Sequence, residues 1–166
     1  FGSIEGVARA KGELFEALGV DGTAIINAED AYRPLWEELA GPARRLTFGL
    51  TPRGQVTGRF VPECTGSRVV IDTPAGQLRV HLPLPGRHNV MNALAVAAAC
   101  VAMDMPLDVL AAGLESVPGV AGRLRRIRLR EGVELIDDSY NANPGSLAAA
   151  LDVLASAGGE HWLVLG

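Results

Sequence analysis

The order of strand and helix patterns in residues 23–49 constrains the fold of this chain more than any other feature. Residues 23–27 form a short apolar strand pattern, a helical pattern containing Trp36 extends to about Leu39, and residues 46–49 form a second strand pattern. Pro34 fits that helix only in its first turn, where a missing N–H is tolerated. A strand–helix–strand order predicts an α/β layer with a largely parallel sheet.

A different pattern follows residue 55. Residues 56–61, 68–71 and 77–82 are short alternating runs separated by Pro, Gly and Thr, and residues 73–76 (TPAG) have the composition of a hairpin turn. Alternation with tight turns predicts an antiparallel side sheet.

The first predicted helix carries the only lysine of the chain. Ser3 is its candidate N-cap, and the helix extends to about Leu18 and ends at Gly19. Its apolar stripe is formed by Ile4, Val7, Ala8, Phe15 and Leu18. Lys11 lies near the centre of that stripe, where desolvation would lower its pKa and leave a nucleophilic amine. Alternatively, its aliphatic stem packs while the ammonium group reaches solvent.

A glycine turn at residues 85–88 places His88 at the start of a helix predicted from Val90 to about Met103, with Asn89 as its N-cap. This helix is apolar on nearly every side, so we expect it to be buried. A helix N-terminus attracts anions, and an Asn amide can pair with a nucleobase edge. Asn89 has a sufficient role as a cap, whereas Asn92 interrupts an apolar helix and is the stronger binding candidate. A shorter helix is predicted over residues 107–114.

The Gly- and Pro-rich connector at residues 117–122 predicts a domain boundary at about Ala121, which divides the chain into residues 1–121 and 122–166. Beyond it we predict strands over residues 124–130 and 133–137, a helix, and a final strand over residues 161–165. This is the β-β-α-β opening of another α/β sheet. The helix has Asn143 as its N-cap, Pro144 at its first position and one apolar face formed by Leu147, Leu151 and Leu154.

Polar side chains are concentrated in residues 137–144 (DDSYNANP), at the carboxyl end of a predicted strand. Ligands bind at this position in open α/β sheets, although turn-forming residues also gather there for structural reasons. Five arginines precede this segment, at positions 123, 125, 126, 128 and 130. We expect most of them on a solvated face and single out Arg123, at the domain junction, as a phosphate-binding residue.

Composition excludes several classes of protein. The net charge of −4 provides no basic surface for nucleic acid. The two cysteines, Cys64 and Cys100, suit a reducing cytoplasm, and no apolar run reaches the roughly 20 residues that membrane insertion requires. The chain begins at Phe1 without Met and stops in a strand pattern at residues 162–166, so we expect an internal piece of a longer protein. It contains no Gly-x-x-x-x-Gly-Lys-Ser/Thr loop, so we do not expect a complete nucleotide-binding site in this piece alone.

Three segments resemble the Mur ligases of bacterial cell-wall synthesis: residues 8–13 (ARAKGE), 84–95 (LPGRHNVMNALA) and 137–144. The second segment is shared across that family, and the third is more specific to the branch that uses D-alanyl-D-alanine. The resemblance implies that residues 1–121 are the later part of a central ATPase domain and that residues 122–166 begin a Rossmann-like carboxyl-terminal domain. The phosphate-binding loop and the UDP-sugar domain would lie outside this piece.

The activity implied by the resemblance is ATP-dependent amide formation. The carboxylate of UDP-N-acetylmuramoyl-tripeptide is phosphorylated, the amine of D-alanyl-D-alanine attacks the acyl phosphate, and Mg²⁺ offsets charge. The implied enzyme is a cytoplasmic monomer of peptidoglycan synthesis, and hence of cell shape and division. We expect this piece alone to be inactive.

The resemblance also assigns catalytic roles to Lys11, His88 and Arg123. Lys11 matches a lysine that several siblings carbamylate with CO₂, which would make it a Mg²⁺ ligand. Arg123 matches a contact to the nucleotide phosphates. The remaining assignments are adenine contacts by Asn89 and Asn92, ribose binding by Asp138, and dipeptide or domain-interface contacts by Tyr140, Asn141 and Asn143.

Three alternatives stay open. A sibling Mur ligase adding another amino acid and a folylpolyglutamate-synthase-like amide ligase share the expected fold, although residues 137–144 argue against both. A non-catalytic nucleotide-binding relative is the third alternative, and the joint presence of Lys11, Asn92 and Asp138 argues against it.

Overall fold

The computed structural model describes residues 2–63, 65–119, 121–140, 143–155 and 157–165. Its elements follow in the order α1 (Ile4–Glu16), β1 (Thr23–Asn27), α2 (Arg33–Leu39), β2 (Arg44–Gly49), β3 (Val56–Glu63), β4 (Gly66–Thr73), β5 (Gly76–Leu82), α3 (Arg87–Ala102), α4 (Leu107–Glu115), β6 (Arg125–Arg128), a 3₁₀ turn (Arg130–Gly132), β7 (Glu134–Asp137) and α5 (Pro144–Ala155). This is an α/β fold, as predicted.

Strands β1 to β5 form one mixed sheet in sequence order. The β1–β2 and β2–β3 pairs are parallel, whereas the β3–β4 and β4–β5 pairs are antiparallel. The predicted antiparallel strands and the turn at residues 73–76 are therefore confirmed. The prediction of a largely parallel sheet with a side sheet is corrected: the antiparallel half continues the parallel half, because β3 pairs with both β2 and β4.

The two faces of this sheet bury different clusters. Ile25 packs against the larger core, which lies under α3 and α4 and includes the fully buried Val56, Ile71 and Leu94. Its neighbours in β1, Ala24 and Ile26, are buried on the other side with residues of α1 and α2. Successive strand residues point to opposite faces, so the part of the sheet at β1 is covered on both sides.

Helix α1 begins as predicted but presents a different face. Ser3 is its N-cap, with the side-chain oxygen accepting from the Gly6 N–H at 3.0 Å. The buried residues are Ala8 and Gly12, and the Trp36 indole of α2 donates to the Ala8 carbonyl at 3.1 Å. These small residues let α1 and α2 approach closely. The face of α1 that contacts α2 is therefore the one with small side chains, not the one with the most hydrophobic side chains.

The predicted stripe of α1 is therefore wrong in part. Ile4 and Val7 are exposed, and Lys11 is exposed instead of lying at the centre of a buried face. Phe15 and Leu18 do pack against the cluster of α1 and α2, as predicted. The helix ends at Glu16, earlier than the predicted end at Leu18.

Helix α3 begins earlier than predicted and is not buried all round. Its N-cap is Gly86, so the prediction of Asn89 as N-cap is wrong. Val90, Ala93, Leu94, Ala97 and Ala98 face the core, whereas Val96 and Asn92 are exposed. Helix α4 is confirmed over nearly the predicted residues.

Strands β6 and β7 form a separate antiparallel pair. Asn143 caps α5 as predicted, with Oδ1 accepting from the Ser146 N–H at 2.9 Å. The apolar face of α5 differs from the predicted one. Val153 is buried, Leu147 and Leu154 are half-buried, and Leu151 is exposed. Residues 161–165 are not a strand.

Two further predictions concern the cysteines and membrane insertion. Cys100 is a free, half-buried cysteine, and Cys64 lies outside the described residues. Within the part of the chain that the structure describes, no helix has the length and apolar character needed to cross a membrane.

Candidate functional site

An open cleft of about 790 Å³ lies at the carboxyl end of β1. One wall is formed by the residues that follow β1, and another by the amino-terminal part of α3. The β3–β4 hairpin and α5 complete it. Its polar and charged lining residues are Asn27, Glu29, Asp30, Glu63, Arg87, His88, Asn92 and Asp152.

Glu29 connects three segments at this cleft. Its Oε1 accepts from the backbone N–H groups of Leu50, at 2.5 Å, and Thr51, at 2.9 Å. Its Oε2 accepts from the Arg87 guanidinium at 2.9 Å. Burial acts to raise the pKa of Glu29, but the hydrogen bonds from Arg87, Thr51 and Leu50 outweigh it and hold that pKa below its ordinary value.

The N-terminus of α3 opens into the cleft. Gly86 has φ +96°, and an added Cβ would lie 2.8 Å from the His88 ring, so this turn favours glycine. The Asn89 amide donates to the Pro85 carbonyl at 2.7 Å, which closes the turn. His88 and Asn92 line the cleft, and the positive end of the helix dipole makes this region favourable for an anion.

His88 lies within electrostatic range of Asp138. Burial opposes the imidazolium and lowers the pKa of His88, while the negative charge of Asp138 acts in the opposite direction without cancelling the effect of burial. Neutral imidazole is thus the favoured form of His88 at neutral pH. These two residues, both predicted from the sequence, thus interact electrostatically across the predicted domain boundary.

The carboxyl end of β7 holds the connector that precedes β6. Asp137 Oδ2 accepts from the Gly122 N–H at 3.2 Å, and Asp138 Oδ1 accepts from the Leu124 N–H at 3.1 Å. Hydrogen bonds from Ser139 are the main reason that the pKa of Asp137 is below its ordinary value. The two aspartates therefore fix the backbone on either side of residue 123.

Arg123 stacks on Tyr140, with its guanidinium carbon 4.1 Å from the ring centroid. Arg123 also lines a second cavity of about 540 Å³ together with Arg125, Arg126 and Arg128. Of these arginines, Arg126 is the least exposed and pairs with Glu134 at 2.9 Å. Most of the five arginines are exposed, as predicted, and Arg126 is the half-buried exception.

The structure brings together only some of the predicted site residues. His88 and Asn92 line the cleft, Asn89 closes the turn beside them, and Asp138 lies within electrostatic range of His88. Lys11, Arg123, Tyr140 and Asn143 are not among the residues that line it. Asn143 has a structural role as the cap of α5, and Asn141 lies outside the described residues.

The described part of the chain does not by itself form a complete metal site. Among the described residues, no group of three or more His, Cys, Asp or Glu side chains is arranged to hold a metal ion. An unmodified lysine ammonium has no lone pair to donate, so Lys11 as such does not fit Mg²⁺.

Sequence reasoning missed Glu29 and Arg87. Glu29 follows the carboxyl end of β1, which is the position that identified Asp137 and Asp138 on β7. That rule applied to residues 27–30 (NAED) would have found it. The Arg87 contact could not have been found in this way, because its partner is 58 positions away.

Comparison with known families and proteins gives consistent matches. The family described as Mur ligase middle domain matches residues 1–100. The UDP-N-acetylmuramoyl-tripeptide–D-alanyl-D-alanine ligase of Escherichia coli K12 is 42% identical over 168 residues, which covers 100% of this chain and 37% of that protein. The chain thus spans about a third of the length of such relatives.

Solved structures agree on the fold. MurF from Acinetobacter baumannii superimposes with a TM-score of 0.89 at 34% identity, covering 95% of this chain and 34% of that one. MurF from Thermotoga maritima in complex with ADP gives a TM-score of 0.79 at 20% identity, covering 96% and 36%. At 20% identity, the second likeness concerns the fold alone.

Proposed function

The chain belongs to the Mur ligase family, and on that premise we propose that it is part of the ligase that joins D-alanyl-D-alanine to UDP-N-acetylmuramoyl-tripeptide. The Escherichia coli relative with that name is similar over the entire chain. Residues 137–144 (DDSYNANP) favour this branch over siblings and over a folylpolyglutamate-synthase-like enzyme. The protein would act in peptidoglycan synthesis in the cytoplasm.

The domain assignment is part of this proposal. Residues 1–121 would be the later part of the central ATP-binding domain, and residues 122–166 the start of the Rossmann-like carboxyl-terminal domain. The separate pairing of β6 with β7 supports a boundary near residue 121. A ligase of about three times this length would supply the remaining parts, and this piece alone would be inactive.

The observation that carries the proposal is the cleft at the N-terminus of α3. It combines a helix N-terminus, which favours phosphate, with the Asn92 amide, which can pair with a base edge. Its volume of about 790 Å³ lies within the range of small-molecule sites. Asn92 and Asn89 would hold the adenine, and Asp138 the ribose hydroxyls.

ATP would supply the phosphoryl group that activates the tripeptide carboxylate. Arg123 would contact the nucleotide phosphates, held in place by its stack on Tyr140. His88, favoured as the neutral imidazole, could accept or donate a hydrogen bond without adding positive charge. Tyr140, Asn141 and Asn143 would lie toward the incoming dipeptide or the domain interface.

Lys11 would contribute to catalysis although it does not line the cleft. As an exposed primary amine it is accessible to CO₂, and carbamylation would convert it to an anion that holds Mg²⁺ with ligands from outside this chain. Arginine could not take this role, because its guanidinium stays protonated.

Nucleotide contacts on both sides of residue 121 would favour a closed arrangement of the two domains. Asn92 precedes the boundary, whereas Arg123 and Asp138 follow it, so ATP would bind the closed state better. Small-angle scattering of the full-length protein tests this. A smaller radius of gyration with ATP is expected, and an unchanged radius would refute domain closure.

Phosphate release by the full-length protein tests the function. With ATP, Mg²⁺ and UDP-N-acetylmuramoyl-tripeptide present, release should depend on added D-alanyl-D-alanine. Release supported by single amino acids and not by the dipeptide would favour a sibling ligase. No release under any combination would favour the non-catalytic alternative.

A further inference from the structure

The carboxylate of Glu29 is bonded by groups from two distant parts of the chain. Oε1 accepts from the consecutive N–H groups of Leu50 and Thr51, which follow β2. Oε2 accepts from the Arg87 guanidinium, at the first residue of α3. A single side chain thus connects the carboxyl ends of β1 and β2 to the start of the helix that lines the cleft.

Glu29 is itself held in place from its own side. Its N–H donates to Asn27 Oδ1 at 2.9 Å, and the preceding Ala28 N–H donates to the Phe48 carbonyl at 2.8 Å. Gly49 leaves room for the carboxylate, because an added Cβ there would lie 2.9 Å from Oε1. The carboxylate therefore has a defined position before Arg87 binds it.

The Glu29–Arg87 ion pair should contribute more to the position of α3 than an ordinary surface ion pair would. Arg87 lies at a helix N-terminus, so its positive charge adds to the positive end of the helix dipole. The Glu29 carboxylate counters both. Exposed pairs contribute little because both side chains must be ordered, but Glu29 is only 20% exposed and is already ordered by backbone donors.

We infer that Glu29 is a positioning residue of the nucleotide site. Through its bond to Arg87, Glu29 fixes the position of the first turns of α3 relative to the rest of the cleft. This rests on the proposed function. His88, Asn89 and Asn92 follow Arg87 within two turns of the same helix, so a change in the position of that helix end moves all three relative to the opposite wall, formed by Asn27 and Asp30. Glu29 acts through Arg87 and need not touch the nucleotide.

Substitution of Glu29 in the full-length ligase provides the test. Glu29→Gln keeps the shape but removes the charge from the bond to Arg87, and we expect about a tenfold weaker binding of a fluorescent ATP analogue. The KM for ATP should rise by a similar factor, while the KM for D-alanyl-D-alanine stays within about twofold, since the inference places Glu29 on the nucleotide side. Gly49→Ala, which displaces the Glu29 carboxylate from a position that does not itself line the cleft, should act in the same direction.

Glu37→Gln is the matched control. Glu37 pairs with Arg33 at 2.7 Å, is 31% exposed and does not line the cleft, so its substitution should leave ATP binding unchanged. Arg87→Gln should reproduce the effect of Glu29→Gln, and the double variant should be no worse than either, because both remove the same bond. Arg87→Lys should restore part of the affinity.

Two results would overturn the inference. One is unchanged affinity for the ATP analogue in Glu29→Gln. The other is an equal loss of ATP affinity, dipeptide affinity and thermal stability, which would mean a general role in folding. Failure of the proposed function is distinguishable, because the wild-type protein would then bind the ATP analogue without dipeptide-dependent phosphate release.

Discussion

The guanidinium carbon of Arg123 lies 4.1 Å from the centroid of the Tyr140 ring, although the two residues are 17 positions apart. The surrounding backbone holds this stack, because the Tyr140 N–H donates to the Gly122 carbonyl at 3.0 Å. Gly122 and Leu124, on either side of Arg123, both have positive φ, at +71° and +52°. Local backbone geometry thus directs the arginine onto the ring.

Under the proposed phosphate-binding role of Arg123, loss of the aromatic ring at position 140 should weaken nucleotide binding. An exposed cation–π contact contributes about 0.5–1 kcal/mol, so Tyr140→Leu should raise the KM for ATP by about two- to fivefold. Tyr140→Phe keeps the ring face and should leave that KM near the wild-type value. Steady-state kinetics of the two full-length variants measure this, and equal KM values for both would exclude a role for the stack.

Removal of the Asp138 charge should lower the pKa of His88 further. Asp138→Asn keeps an oxygen that can accept from the Leu124 N–H, but it removes the negative charge that favours the imidazolium. NMR titration of ¹³C-labelled histidine, with His88→Gln for assignment, measures the shift. A raised His88 pKa in Asp138→Asn would contradict the arrangement.

The depressed pKa of His88 also has a consequence for stability. The unfolded chain binds this proton more readily than the folded chain, so His88 lowers stability as the pH falls below its ordinary pKa of 6.5. Above that pH the contribution disappears. When the pH is lowered from 7 to values below the pKa of folded His88, the free energy of unfolding should therefore fall less for His88→Gln than for the wild type. Urea unfolding at each pH measures both.

Two glycine substitutions should change stability in opposite directions. A Cβ at Gly66 would overlap the Leu82 carbonyl oxygen, so Gly66→Ala should cost about 1–3 kcal/mol. Gly113 lies inside α4 with no atom within 4 Å of an added Cβ, so Gly113→Ala should stabilise by about 0.5–1 kcal/mol. Urea unfolding measures both changes, and destabilisation by both would contradict the packing described.

Lys11 offers a test that separates chemistry from folding. Because its side chain is exposed, Lys11→Ala and Lys11→Arg should each change the free energy of unfolding by less than about 0.5 kcal/mol. Under the proposed role both should lower kcat by at least about 100-fold, since neither side chain can be carbamylated. Retention of activity in Lys11→Arg would show that only positive charge matters at this position.

The features predicted correctly from sequence are those that neighbouring residues determine. Strand β1, the turn at residues 73–76 and the Asn143 cap of α5 follow from alternation, turn composition and capping chemistry. These signals act over a few residues, and tertiary contacts did not override them here.

The features missed depend on contacts between distant residues. The exposure of Lys11 follows from the close approach of α1 to α2 at Ala8 and Gly12, which periodicity alone does not specify. Likewise, residues 161–165 have a strand composition, but a strand also needs a pairing partner that local sequence does not identify. The link from Glu29 to Arg87 joins positions 58 apart and has no local pattern.

The proposed ligase activity can be tested directly through the mass of the product made by the full-length protein. UDP-N-acetylmuramoyl-tripeptide, ATP and Mg²⁺ are incubated with D-alanyl-D-alanine in competition with D-alanine, L-alanine, D-glutamate and diaminopimelate, and the nucleotide-sugar product is analysed by mass spectrometry. We expect a product heavier by one D-alanyl-D-alanine minus water. A product carrying one of the single amino acids, or no new product at all, would contradict it.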